Sequence, residues 1–166
     1  MFIRTKKIKG QRYAYLVKNK WVKGKVKQQV KGYLGKVFSP EKTSQTPFHE
    51  HYSNYEKIDS KEMIKDVVKL ELVNHGFAII DDRTLSKEDV VVDVAKCKVK
   101  TKNGKDAVLM LNDAFLHNKN MKNLVNFKKS TEEEDTPGQK LATAFSDAGI
   151  NVEKEIFVEL YKRIYL

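Results

Sequence analysis

The sequence lacks several features that define whole classes of protein. Its single cysteine, Cys97, excludes an intramolecular disulfide framework and any cysteine-rich zinc module. No apolar run approaches the ~18–20 residues that a membrane helix needs, and the first residues contain no apolar signal-peptide core. We therefore expect a soluble, cytoplasmic protein that has no membrane partner.

The longest stretch without an acidic residue lies at the start of the chain. The chain has 166 residues and a formal net charge of +10. Residues 1–38 contain 12 lysines and arginines but no aspartate or glutamate, so the remaining residues carry a net charge of −2. A local basic field beside a near-neutral remainder predicts a surface that docks a polyanion. A surface that is merely solvated would not explain why the whole basic excess lies in the first quarter of the chain.

The rest of the composition is typical of a folded protein. Apolar residues make up 40% of the chain and charged residues 33%, which is enough to bury a core in one ordinary domain or two small ones. We predict an α+β fold in three parts: a basic antiparallel β-meander at 1–38, a linker at 39–58, and an α+β domain at 59–166. The last part has a central β-hairpin and ends in C-terminal helices.

Alternating residue types predict the strands of the meander. Residues 2–9 and 12–18 form the first two strands around a turn at Gly10-Gln11, and Asn19-Lys20 offers the next turn. Beyond it, lysine and glutamine occupy every second position between Trp21 and Tyr33. Because strand side chains alternate between two faces, we expect one basic face with an aromatic residue at each end.

This face, with basic residues of the first two strands, is the predicted nucleic-acid site. Lysine supplies charge for phosphates but little geometry for reading bases, so we expect mainly backbone contacts and weak sequence preference. Exposed aromatic rings can stack on unpaired bases. The predicted binding residues are Arg4, Lys6, Lys7, Arg12, Trp21, Lys23, Lys25, Lys27, Lys31 and Tyr33.

Four short pieces of this segment carry a family resemblance. Gly10, YAYLV at 13–17, GKVKQ at 24–28 and YLGK at 33–36 resemble, in order and spacing, the N-terminal β-meander of DDE-type insertion-sequence transposases. The resemblance implies a meander that holds DNA, and it favours DNA over RNA as the partner. The rest of the chain is too short for a transposase catalytic domain, so no transposition is implied.

A helix is predicted at the start of the third part. Asp59 followed by Glu62 resembles a capping box, apolar residues recur at helical spacing, and Gly76 is a natural stop. Residues 77–80 read as a short buried strand. Residues 90–100 and 106–111 are predicted to pair as a hairpin around 102–105, whose Asn-Gly step favours a tight turn, before a helix that starts at 112–113 and runs to about Phe127.

This order of elements resembles restriction-endonuclease-like nucleases, including archaeal Holliday-junction resolvases. The stretch ELVNHGFAII at 71–80 is similar to their first helix-to-strand step. The resemblance implies an acidic residue on the second strand and an acid-x-Lys pair on the third, which together hold Mg²⁺. Asp93 could be the first acid, but the third strand has no acid-x-Lys pair. A nuclease, degenerate in its active site, is therefore an alternative.

No other residue is predicted to be catalytic or to bind a metal or cofactor. His49 and His51 lie in the presumed linker without obvious further ligands. His75 is expected to cap the C-terminus of a helix, and His117 to lie on a helix surface. Cys97 is expected to be a small, partly buried strand residue.

The C-terminal helices at 137–148 and 152–164 are predicted to form a hairpin that packs or binds a protein. Glu153, Glu155 and Glu159 make the last helix too acidic for a helix that faces phosphates. The sequence thus predicts non-catalytic binding of nucleic acid, with DNA favoured. The first alternative is a subunit or adaptor of a larger nucleoprotein assembly.

Overall fold

A computed structural model describes residues 1–166 and confirms the predicted α+β class. None of its helices is long and apolar enough to cross a membrane. The strands are β1 Phe2–Ile8, β2 Gln11–Val22, β3 Lys25–Phe38, β4 Ala78–Ile79, β5 Thr84–Lys87, β6 Val90–Asp93, β7 Lys98–Thr101, β8 Ala107–Leu111 and β9 Ala114–Leu116. The helices are α1 Phe48–His51, α2 Ser60–Asn74, α3 Asn118–Val125, α4 Gln139–Asp147 and α5 Lys154–Tyr165, with a 3₁₀ turn at Tyr55–Lys57.

The strands form two sheets. The first has the order β1-β2-β3-β8-β9, in which only β3 and β8 run parallel and Lys36 lies beside Ala107. The second is antiparallel, with the order β4-β5-β6-β7. A single bridge between Lys100 and Asp106 links β7 to the start of β8. The predicted meander is therefore continuous with a sheet that the second half of the chain completes.

Helix α2 supplies much of the main core. Its residues Met63, Ile64, Val68 and Leu72 are fully buried, and their spacing matches one face of a helix. The side chain of Asp59 accepts a hydrogen bond from the backbone N–H of Glu62, so the predicted N-terminal cap is confirmed.

Residues 39–58 lie against this core. Phe48 is buried, and its ring lies 5.0 Å from that of Tyr52 and 5.6 Å from that of Tyr55. The backbone N–H of Phe48 donates to the Glu153 carboxylate at 3.0 Å. The segment lacks long regular elements, as its prolines predict. Its aromatic contacts and hydrogen bonds nevertheless hold it against the core.

A buried carboxylate, Glu71, joins four parts of the chain. It accepts hydrogen bonds from Lys42 Nζ at 3.1 Å, His75 Nε2 at 2.9 Å and Asn112 Nδ2 at 2.7 Å, and the Asn151 backbone N–H lies at 3.3 Å. Burial alone would raise the pKa of Glu71, but the donors outweigh burial and hold that pKa below its usual value. His75 ends α2 as predicted, although its ring is buried between Glu71 and the Pro40 carbonyl.

The predicted hairpin between residues 90–100 and 106–111 is wrong. β7 pairs with β6, whereas β8 pairs with β3 and β9, so the two segments diverge after a single bridge. Residues 112–113 do not start a helix either. Both have positive φ values, 48° and 64°, and form the two-residue turn between β8 and β9.

Three further local predictions need correction. Residues 77–80 are not a buried strand, because only Phe77 is buried while β4 is an exposed edge strand. His117 is not on a helix surface: it is the buried residue before α3, and burial lowers the pKa of its imidazole. Helix α4 begins at Gln139 rather than at Pro137, after Gly138 in a left-handed conformation.

The two C-terminal helices are held chiefly by other elements. Helix α4 packs against α3 and β9, and α5 packs against α2. The break at residues 148–150 falls where the sequence predicts it.

Candidate nucleic-acid interface

Two tight turns shape the basic N-terminal segment. Lys9-Gly10 joins β1 to β2 and Lys23-Gly24 joins β2 to β3, with positive φ at all four residues, as type I′ turns require. The predicted first turn was displaced by one residue. The predicted second turn at Asn19-Lys20 is wrong, because both residues continue the β2 ladder and Gly24 supplies the left-handed conformation four residues later.

The far half of the β2–β3 hairpin protrudes from the molecule. The ladder of β1 ends where Phe2 pairs with Val17, so nothing flanks the hairpin beyond that point. We call residues 18–31 the arm. Nearly every residue of the arm is exposed, and no arm residue belongs to a buried core cluster. Five paired residues per strand give the arm a length of roughly 17 Å.

The near half of the same hairpin is packed. Ala14 and Val37 are buried with Val108 in a small apolar cluster, against which Ile3 and Leu34 pack. This cluster, together with the pairing of β3 to β8, anchors the base of the arm.

The structure divides the predicted site between two faces. In an antiparallel pair, residues directly opposite one another share a face. Trp21 pairs with Val26, and Lys20 pairs with Lys27 on the opposite face. The prediction that Trp21 lies on the lysine face is therefore wrong, because the turn at Lys23-Gly24 moves Trp21 onto β2.

One face of the arm is cationic. Lys20 lies directly opposite Lys27, and Lys18 and Lys25 are their neighbours on the same face. The arm contains no acidic residue, and none of these ammonium groups forms an ion pair. Like charges directly opposite each other destabilise a strand pair. An external anion would relieve this repulsion.

The other face is apolar and aromatic. Trp21 is 73% exposed, and Val26 and Val30 are about half exposed, at 51% and 52%. Three tyrosines continue this face toward the base: Tyr33 is 58% exposed, and its ring lies 5.3 Å from Tyr15 and 6.4 Å from Tyr13. Desolvation, followed by Tyr15 and Tyr13, raises the pKa of Tyr33, so its phenol is neutral at physiological pH.

The remaining predicted residues surround these faces. Lys6 Nζ lies 5.2 Å above the Tyr15 ring, and Arg4 donates a hydrogen bond to Gln28, so both lie on the aromatic face. Lys7 and Arg12 face each other on the opposite side of the sheet. The last two predicted lysines are Lys23, which lies in the turn, and Lys31, which is the unpaired residue of a bulge in β3.

The acidic and histidine side chains do not form a cluster. No group of three or more His, Cys, Asp or Glu side chains is placed to hold a metal ion. Asp93 accepts a hydrogen bond from the Lys96 backbone N–H at 2.8 Å and so stabilises its own turn. Six short strands, rather than three, separate α2 from α3.

Some basic residues were not singled out from the sequence. Lys18 and Lys20 belong to the cationic face but fell outside the third predicted strand. Residues 94–105 also contain five lysines and no acidic residue. The net charge of residues 39–166 as a whole, −2, does not reveal this local basic stretch. A charge count in a short window would have found both sets.

Comparisons with protein-family models, curated proteins and solved structures gave no match.

Proposed function

We propose that the protein binds nucleic acid, with DNA preferred, through the arm and without catalysing a reaction on it. The supporting observation is the cationic face, where Lys20 and Lys27 oppose each other with no carboxylate nearby. Folding does not require lysine there, because the arm packs against no core. A phosphate backbone supplies the missing negative charge. With this role we expect the protein in the cytoplasm and, if the cell is prokaryotic, associated with the nucleoid.

The shape of the arm suits this partner. A two-stranded β-ribbon fits the major groove of DNA, which is about 12 Å wide. Lysine ammonium groups act there as point charges, so we expect backbone contacts with little sequence preference. The Trp21 face lies on the other side of the ribbon, where an exposed indole can stack on an unpaired base or contact a groove wall.

The experiment is fluorescence anisotropy with double-stranded DNA, single-stranded DNA and RNA over a range of salt concentrations. For about six phosphate contacts, the log–log slope of affinity against salt is roughly −5. In the variant Lys20→Glu/Lys25→Glu/Lys27→Glu, we expect ~100-fold weaker binding and a slope smaller by about three. Its free energy of unfolding should change by less than ~0.5 kcal/mol.

The matched control reverses three lysines outside the arm, Lys128, Lys129 and Lys154, and so has the same net charge. It should bind nearly as tightly as the unmodified protein. Equal losses in the two variants would show that only total charge matters and would contradict a site on the arm. If none of the three nucleic acids binds at low salt, the arm serves an acidic protein partner, and the adaptor hypothesis replaces this one.

A further inference from the structure

A second group of lysines surrounds a pocket on the other half of the molecule. The pocket has a volume of about 380 Å³ and lies between the turn that joins β6 to β7 and the outer side of α3. Lys96 and Lys98 line it from the turn and β7, and Lys119 and Lys122 line it from α3. No acidic side chain is among its lining residues.

These four ammonium groups have no partner within the protein. None of them forms an ion pair or donates a side-chain hydrogen bond. Lys65 and Lys69 on nearby α2 show the contrast, since each lies beside a carboxylate of its own helix. The pocket therefore gathers four lysines without ion pairs, although Asp93 and Asp106 lie close to its lining residues Cys97 and Asn118.

The backbone around the pocket is fixed. Asn118 Oδ1 accepts a hydrogen bond from the Val99 backbone N–H at 2.7 Å, and its Nδ2 donates to Asp106 at 3.0 Å. These bonds hold the start of α3 against β7. Burial raises the pKa of the Cys97 thiol at the floor of the pocket, so the thiol stays neutral and does not offset the lysines.

Strand order places this pocket within reach of the base of the arm. Lys36 at the end of β3 lies beside Ala107 on β8, and Asp106 bridges to Lys100 on β7. At this bridge, two interstrand steps of about 4.8 Å separate β3 from β7, and Lys98 of the pocket lies two residues from the bridge along β7. The exposed Lys102 and Lys105 lie on the turn between β7 and β8, beside this path.

We infer that this pocket is a second phosphate site, which holds the backbone of the same nucleic acid that the arm binds. The inference rests on the proposed function, because it assigns the phosphates to that ligand. Four convergent lysines suit a phosphate diester, which needs charge more than directional readout. Such a site would lengthen the contact from the arm past the ends of β3 and β8 toward β7.

The test uses the full chain with DNA duplexes of two lengths. A duplex of about 8 base pairs, roughly 27 Å long, covers the arm alone, whereas one of about 24 base pairs extends beyond it. In the variant Lys98→Ala/Lys122→Ala, we expect the salt slope on the long duplex to fall by about two, with affinity ~10-fold weaker. Binding to the short duplex should not change. Lys128→Ala/Lys154→Ala is the matched control and should behave as the unmodified protein on both.

The outcomes separate this inference from the proposed function. If the arm variant loses binding while Lys98→Ala/Lys122→Ala keeps the full slope on the long duplex, the arm is the site and the pocket inference is overturned. Inorganic tripolyphosphate is titrated into both proteins as a second probe. If Lys98→Ala/Lys122→Ala loses its binding but keeps full affinity for the long duplex, the pocket serves a free phosphate compound, and the inference is again overturned. If neither variant changes DNA binding, the proposed function itself fails.

Discussion

The two halves of the β2–β3 hairpin belong to the same pair of strands but differ in what surrounds their side chains. In the base, Ala14 and Val37 are buried against Val108, and β3 is fastened to β8. In the arm, Trp21 and Lys27 lie on opposite faces, and both are open to solvent. Folding dictates the residues of the base, whereas it demands little more of the arm than strand propensity and a turn. Folding therefore does not explain the unusual composition of the arm, which is the observation behind the proposed binding role.

A two-stranded ribbon is at best marginally stable by itself, so the arm depends on its base. The base holds the two strands in register, and the type I′ turn at Lys23-Gly24 closes the far end with the twist that the strands prefer. Changes in the base should alter stability and leave binding intact, and changes in the arm should do the reverse.

The largest expected effect on stability is at Glu71, far from the arm. In Glu71→Gln, the partly buried Lys42 and the buried His75 side chain lose their carboxylate, and we expect the free energy of unfolding to fall by ~3 kcal/mol in urea titrations at pH 7. The folded-state pKa of Glu71 is lowered, so its contribution is present above the unfolded pKa and is lost as pH falls through the folded value. DNA affinity of the folded variant should be unchanged. A stability change below 0.5 kcal/mol would show that the network is not needed.

Two glycines compare the base with the arm directly, with a smaller expected loss of stability than at Glu71. Gly35 in the base has φ of 136°, and an added Cβ would press against the Asp106 carbonyl, so Gly35→Ala should cost about 2 kcal/mol. Gly24 at the tip has φ of 76° but open space around it, so Gly24→Ala should cost about 1 kcal/mol within the arm. Global unfolding measured by far-UV circular dichroism should register the first change much more than the second. Equal effects would mean that arm and base unfold as one unit.

The third comparison concerns how the free energy of unfolding depends on pH. Burial raises the pKa of Asp66 on α2 to about 6. Because the folded state holds this proton more tightly than the unfolded state, stability should fall as pH rises from about 4 to 6 and then level off. Asp66→Asn removes this penalty and should add ~1–2 kcal/mol at pH 7.5, after allowance for solvent screening, and almost nothing at pH 4. Urea titrations at both pH values measure this difference. An equal gain at both would assign the effect to packing rather than to charge.

Local signals in the sequence predicted much of this architecture. The cap at Asp59 fixes the start of α2, and the lack of acids before residue 39 locates the basic hairpin. The errors arose where a distant partner decides the outcome. β8 leaves its neighbour in sequence for β3, because its apolar side chains complete the buried cluster around Ala14. Such nonlocal pairing leaves no trace in the local alternation of residues.

The sequence predicted which basic and aromatic residues the arm contains, but not which face of the hairpin each of them occupies. A shift of the turn to Lys23-Gly24 moved Trp21 from the lysine face to the opposite one, since side chains alternate with a period of two. The pocket around Lys98 and Lys122 was missed because its lysines come from β7 and α3, which only the fold brings together.

The parallel pairing of β3 with β8 also has a consequence during synthesis. β1–β3 are synthesised before β8, so the β2–β3 hairpin can form while the strand that pairs with β3 is still missing. Local hairpins form within microseconds, but a pairing between segments this distant in sequence forms late. Until β8 is made, the basic hairpin therefore lacks the pairing that supports its base and is at best a marginally stable cationic ribbon. The final closure of β8 against Lys36–Phe38 converts that ribbon into an arm on a rigid body.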